Sequence, residues 1–304
     1  MKNTNVLAAA AIMWLNAICC MSQGIKAEIN ESTGAIEAIK IENDQTNMNW
    51  LVRTDGQQYK WVGPEYGWGL GYFSMSREFT RSKHEWKKPK HISTDGMDVT
   101  YEENDIEIHV ARKYDKGDLI EEYTLTNMGG GNAILYDIGI YTPFNDNYPD
   151  AETCMNARTH AHIWNGQSDA YVNALRMSGK GPHLGLALTE GRIENYEIWE
   201  RGLEKGNSQC RGIMALNITD LILGLGNSYK FSWRLFSHKG NSDFKKKLIK
   251  YGECIASSSR YVYEVGEKAV VELQGCPASE KCTVTKNGEN VKSAFKDGKW
   301  TAET

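Results

Sequence analysis

The sequence predicts an all-β protein: a large two-sheet sandwich followed by a partial immunoglobulin-like β module. Three observations carry that prediction. Apolar and polar residues alternate with period two through most of residues 25–238. The breaks in that alternation hold Gly, Asn and Asp, as at 95–96, 116–118, 129–131 and 224–227. The 304 residues include 9 Trp, 15 Tyr and 29 Gly against 6 Pro, which suits aromatic, tightly turned sheets.

The elements follow in chain order. Lys2 precedes an apolar run over 6–20 that is too short for a membrane span and ends near Ser22-Gln23, so residues 1–22 read as an export signal. The protein is then expected outside the cytoplasm, periplasmic or extracellular. The rival is a lipoprotein anchored on Cys19 or Cys20, behind a poor lipobox at 16–18. Residues 23–256 form the sandwich. Within it Ile106, Ile108 and Val110 share one face of a strand, and Leu119, Glu121, Tyr123 and Leu125 share one face of the next. Further strands are expected at 133–141, 170–177, 184–189 and 229–238. These are too many for one open sheet, so two sheets must pack face to face. A short helix is expected after Ser242-Asp243, with Phe244, Leu248 and Tyr251 at i, i+4 and i+7 and a Lys run on its solvated side.

Residues 257–304 make a second set of short strands with an Asn287-Gly288 hairpin turn. An immunoglobulin-like sandwich needs about 100 residues, so a truncated polypeptide is expected, and an unusually small module is the alternative. Outside the leader the cysteines are Cys154, Cys210, Cys254, Cys276 and Cys282. Cys276 and Cys282 flank a Pro-containing turn. They are the candidate disulfide, and two buried thiols are the alternative.

Lys and Arg total 35 against 39 Asp and Glu, and no basic block exceeds 245–247, which argues against a nucleic-acid partner. Three segments are candidates for function. In 59–73, rings alternate with Gly63, Gly67, Gly69 and Gly71. Trp68 is a candidate to lie against a sugar's flat C–H face, and the alternative is that Trp61, Trp68 and Tyr72 plug the sandwich end. In 154–164, a strand would point Asn156, Arg158, His160, His162 and Trp164 to one face, a polar groove suited to a hydroxylated or acidic ligand. A structural hydrogen-bonded network is the competing explanation, and no third ligand joins His160 and His162 to make a metal site. In 142–152, Asp146, Asp150 and Glu152 suit turns better than a cation. His160 with Glu190 is the weak candidate for an acid-base pair. No nucleophile elbow, phosphate loop or dinucleotide fingerprint occurs, and no cofactor is implied.

Residues 47–50 (NMNW), 66–72 (YGWGLGY), 141–150 (YTPFNDNYPD), 158–164 (RTHAHIW), 181–185 (GPHLG) and 232–236 (SWRLF) resemble the N-terminal region of large secreted bacterial glycoside hydrolases. The resemblance covers roughly residues 25 to 300. It implies a galactose-mutarotase-like β-supersandwich, an immunoglobulin-like linker and, in those proteins, a six-hairpin (α/α)6 catalytic toroid. The mutarotase pattern Asn-x-x-His-Gly-Gly is absent, so no catalytic residue carries over. The resemblance implies a carbohydrate-recognising or structural accessory domain with a glycan or oligosaccharide as partner. A sugar-active enzyme using a His/Glu pair and a docking domain for a catalytic toroid are the alternatives.

Overall fold

A computed structural model describes residues 24–54, 62–77, 80–146, 148–199, 213–279 and 282–303. The expected leader, Trp61 and Cys210 lie outside the described residues. No described helix is long and apolar enough to cross a membrane.

The molecule is nearly all β, and its strands pair antiparallel. One sheet has eight strands in the spatial order Thr159–Trp164, Tyr171–Arg176, His183–Glu190, Ser228–His238, Asp118–Asn127, Ile106–Asp115, Asp98–Glu103 and Pro89–Ile92. The second runs Ile193–Trp199, Ile213–Ile218, Ala133–Tyr141, Gly71–Arg77 and Thr80–Trp86, with Leu221–Leu223 pairing beside Ala133–Tyr141. A hairpin, Ile25–Ile29 with Ile36–Ile41, covers part of the core.

Alternation puts one face of each sheet against the other. Ile106, Ile108 and Val110 are buried, as are Leu119, Tyr123 and Leu125 on the strand paired with them. The strand His183–Glu190 is different: six successive residues are buried. Leu184, Leu186 and Leu188 face the inter-sheet core, while Ala187 packs with Phe236 under the helix Asn241–Lys250. A strand covered on both sides reads as a continuous apolar run. The helix contributes Phe244 and Leu248 to that second cluster, and Tyr251 packs at its edge.

A charged group sits inside the main core. Glu121 is fully buried, and the Arg112 Nε donates to its Oε1 at 2.9 Å. The indole N–H groups of Trp68 and Trp233 both donate to Glu121 Oε2, at 2.6 and 2.8 Å. Arg112 also donates to the carbonyls of Gly34 and Gly96. Three elements and two turns thus converge on one ion pair. Trp68 is therefore a core residue, edge-on to Phe144, and the expectation that it contacts ligand is corrected.

Beyond the helix, Ile255–Ser258, Val270–Gln274, Lys299–Glu303 and Ser293–Lys296 form a four-stranded sheet, with a hairpin of Val284–Lys286 and Glu289–Val291. The expected Cys276–Cys282 bridge is not formed. Ile255 pairs with Gln274, which brings Cys254 and Cys276 to a Cα separation of 5.3 Å and a disulfide, leaving Cys282 free. The bridge closes a loop of 22 residues, so reduction is expected to cost about 3 kcal/mol of unfolding free energy. Urea melts with and without reductant check this; coincident midpoints would refute it.

Candidate functional site

The predicted row over 154–164 divides in two. Asp150 caps a helix, Ala151–Ala157, by accepting from the Thr153 amide at 2.8 Å. This carboxylate is committed to the cap, in keeping with the turn reading of that loop. The helix takes Asn156 away from the row, and Arg158 ends it, donating from Nη1 to the Ala157 carbonyl. Asn156 does not share the strand face of His160, His162 and Trp164, and that part of the expectation is corrected; Arg158 is already extended and stands two positions before His160.

The remaining three stand as expected. On Thr159–Trp164, the end strand of the eight-stranded sheet, His160, His162 and Trp164 are exposed while Thr159 is buried. Trp164 is 50% exposed and its ring stacks on Tyr171 across the pair, with centroids 6.4 Å apart and planes 23° apart. Any side chain at Gly166 would strike the indole, so glycine there lets the ring lie down. The imidazoles of His160 and His162 are 6.3 Å apart, and Tyr148 lies 6.2 Å from His160. The result is a strip of rings and imidazoles along one edge of the sandwich.

Glu190 does not join it. His160 pairs with Leu175, whereas Leu188 lies level with Ala170. By strand rise Glu190 is on the order of 20 Å from His160 along the sheet. The proposed acid-base pair therefore does not assemble.

A second cluster was not singled out from the sequence. On the outer face of the second sheet, the Tyr72 hydroxyl donates to Glu197 Oε2 at 3.1 Å and the Tyr141 hydroxyl to Glu85 Oε1 at 3.4 Å. Their rings lie 5.5 Å apart, with Tyr66 edge-on to Tyr141. Lys83 Nζ sits 4.2 Å above the Tyr72 ring, and Tyr72 lies flat over Gly139, where a Cβ would collide with it. The Asn217 amide donates to Glu197 at 3.3 Å. Burial, with Glu85 adding to it, pushes the Tyr141 hydroxyl far above the ordinary tyrosine range, so it stays protonated. Burial opposes the charge on Glu85, yet the hydrogen bond from Lys87 and the charge of Lys83 hold its carboxyl below the usual range. The signal in sequence was polar residues at alternate positions of strands 72–74, 83–87 and 195–197; nothing local said that they meet.

No protein-family model matches the chain, and no curated protein does. Among solved structures, a polysaccharide lyase is 49% identical, superposes with a TM-score of 0.86 and covers 93% of this chain. The chain shares its two-sheet β-sandwich fold with part of that lyase. It spans 42% of the length of that lyase. More distant matches are a galactose mutarotase related enzyme from Lactobacillus acidophilus (10% identity, 73% of this chain and 97% of that one, TM-score 0.47) and heparinase III (9% identity, 84% and 40%, TM-score 0.35). The 49%-identical protein is named a lyase, where the sequence resemblance implied a hydrolase.

Proposed function

We propose that this chain is the glycan-recognising sandwich of an exported polysaccharide lyase, non-catalytic by itself, with His160, His162 and Trp164 touching the sugar chain. The observation that carries this reading is the exposed, co-facial strip, in which a half-exposed Trp164 is held flat on Tyr171. Exposed rings beside hydrogen-bonding imidazoles suit the apolar faces and hydroxyls of a sugar. Elimination requires an acidic C–H beside a carboxyl group, so the polysaccharide is one that contains uronate. The Cys254–Cys276 bridge supports residence in an oxidising compartment, as does the apolar leader over 6–20. A catalytic domain is the expected neighbour of Tyr261 and Val262, which are 85% and 83% exposed.

Titration of the purified chain with acidic oligosaccharides tests this reading. Trp164→Ala is expected to weaken binding by about tenfold, near 1.4 kcal/mol, and Trp164→Phe to retain most of it. Equal affinity in wild type and Trp164→Ala would overturn the assignment.

A second reading is favoured by the tyrosine–carboxylate cluster: Glu197 takes the proton beside the uronate carboxyl while the Tyr72 hydroxyl bonded to it gives its proton to the leaving sugar oxygen. Formation of unsaturated product by the chain alone, abolished by Tyr72→Phe, would establish it in place of the non-catalytic reading.

A further inference from the structure

We propose that a second binding site, for a single acidic sugar residue, lies where the strand Thr159–Trp164 begins. It is a cavity of about 410 Å³, within the size range of small-ligand sites. Polar side chains, Asn43, Asp44, Thr46, Asn156, Ser178 and Lys180, surround Arg176, and Gly181 and Pro182 also line it.

Arg176 builds the site. It ends the strand Tyr171–Arg176 opposite Thr159 and is 3% exposed. Its guanidinium donates to Asp44 Oδ2 at 2.5 Å, Thr46 Oγ1 at 2.6 Å and the Asn156 carbonyl at 3.1 Å. Its backbone amide donates to His183 Nδ1 at 3.1 Å. The buried cation thereby ties the 43–46 turn to the end of the helix Ala151–Ala157, and its own backbone adds the strand His183–Glu190 to a fixed wall. Asp44 neutralises it, so the wall offers hydrogen bonds and little net charge. Arg176 Nε has no protein partner.

The charge that selects a ligand is therefore Lys180. It is exposed on the cavity's lining and makes no ion pair among the described residues. One uncommitted ammonium beside amides and hydroxyls fits a hydroxylated carboxylate: Lys180 takes the carboxylate, and Asn43, Asn156 and Ser178 take hydroxyls. Among the described residues the lining holds no aromatic ring, which disfavours a flat apolar ligand. Arg176 lies in register with Thr159, whose side chain is on the face opposite His160, so this cavity is separate from the strip. The inference rests on the glycan-binding reading only for the choice of ligand.

The test uses the full chain, with backbone amide shifts and calorimetry. Glucuronate and galacturonate are expected to shift residues 43–46 and 178–182, and glucose and acetate to shift them far less. Lys180→Ala should weaken the acidic sugars by about tenfold and Lys180→Arg should restore them, with melting unchanged because Lys180 is exposed. Trp164→Ala should leave monosaccharide binding intact while weakening polymer. Shifts with glucuronate but no polymer binding would keep this site and remove the strip. Absence of shifts at 43–46 and 178–182 with both glucuronate and oligouronides, equal response to acetate, or indifference to Lys180→Ala would overturn it. Binding of oligouronides at these residues without monosaccharide binding would show that the source is a polymer terminus rather than a free sugar acid, and would support the site.

Discussion

Glu121→Ala is expected to destabilise the protein by about 3–5 kcal/mol, enough to unfold much of a marginally stable domain at 37 °C. The substitution leaves the Arg112 guanidinium in the core without its counter-charge and strips two indole N–H groups of their acceptor. An uncompensated buried charge is costlier than the pair is worth, so removing both members should hurt less. Arg112→Met with Glu121→Leu is accordingly expected to recover a large part of the loss. Urea unfolding followed by tryptophan fluorescence reads both, since Trp68 and Trp233 report directly on the site. A Glu121→Ala midpoint matching wild type would show that the network contributes nothing.

Glu253→Gln is expected to change how stability depends on pH more than any other single substitution. Glu253 is 3% exposed, its Oε2 has no partner, and burial together with the nearby Asp169 pushes its carboxyl up to about 8. The folded value exceeds the unfolded one, so the folded state binds the extra proton. Stability from this group is complete below about 4.5 and is lost as pH rises toward 8, by on the order of 4 kcal/mol. His238 acts in the opposite sense. Burial, and then His183 with its ring 5.2 Å away, lowers it to about 4, so its contribution is present above 6.5 and lost as pH falls toward 4, by up to about 3 kcal/mol. The two slopes oppose each other between 4.5 and 6.5. The Gln variant should be more stable than wild type at pH 8 and equal to it at pH 4. Parallel stability curves for the two proteins would refute the buried-carboxylate account.

Much of the fold was legible because strand alternation is a local property. The faces of Ile106–Asp115 and Asp118–Asn127, and the helix under Phe244 and Leu248, could be read from spacing alone. Even Glu121 stood out as a carboxylate on an apolar face. Its meaning did not, because Arg112, Trp68 and Trp233 reach it from 9, 53 and 112 positions away. The row over 154–164 was half legible. Alternation correctly aligned His160, His162 and Trp164, but the Asp150 cap competed for the residues before them and won about two turns of helix.

By itself the order of residues determined which side chains share a face and where turns fall, since each depends on neighbours a few positions apart. Only the tertiary structure decided depth and partnership: Trp68 inside rather than at a surface, Cys254 rather than Cys282 opposite Cys276, two tyrosines over two glutamates, and a cavity walled by Arg176. Those outcomes depend on sheet order and strand register, which are set by packing energy summed over the whole sandwich, and no short window of sequence carries that sum.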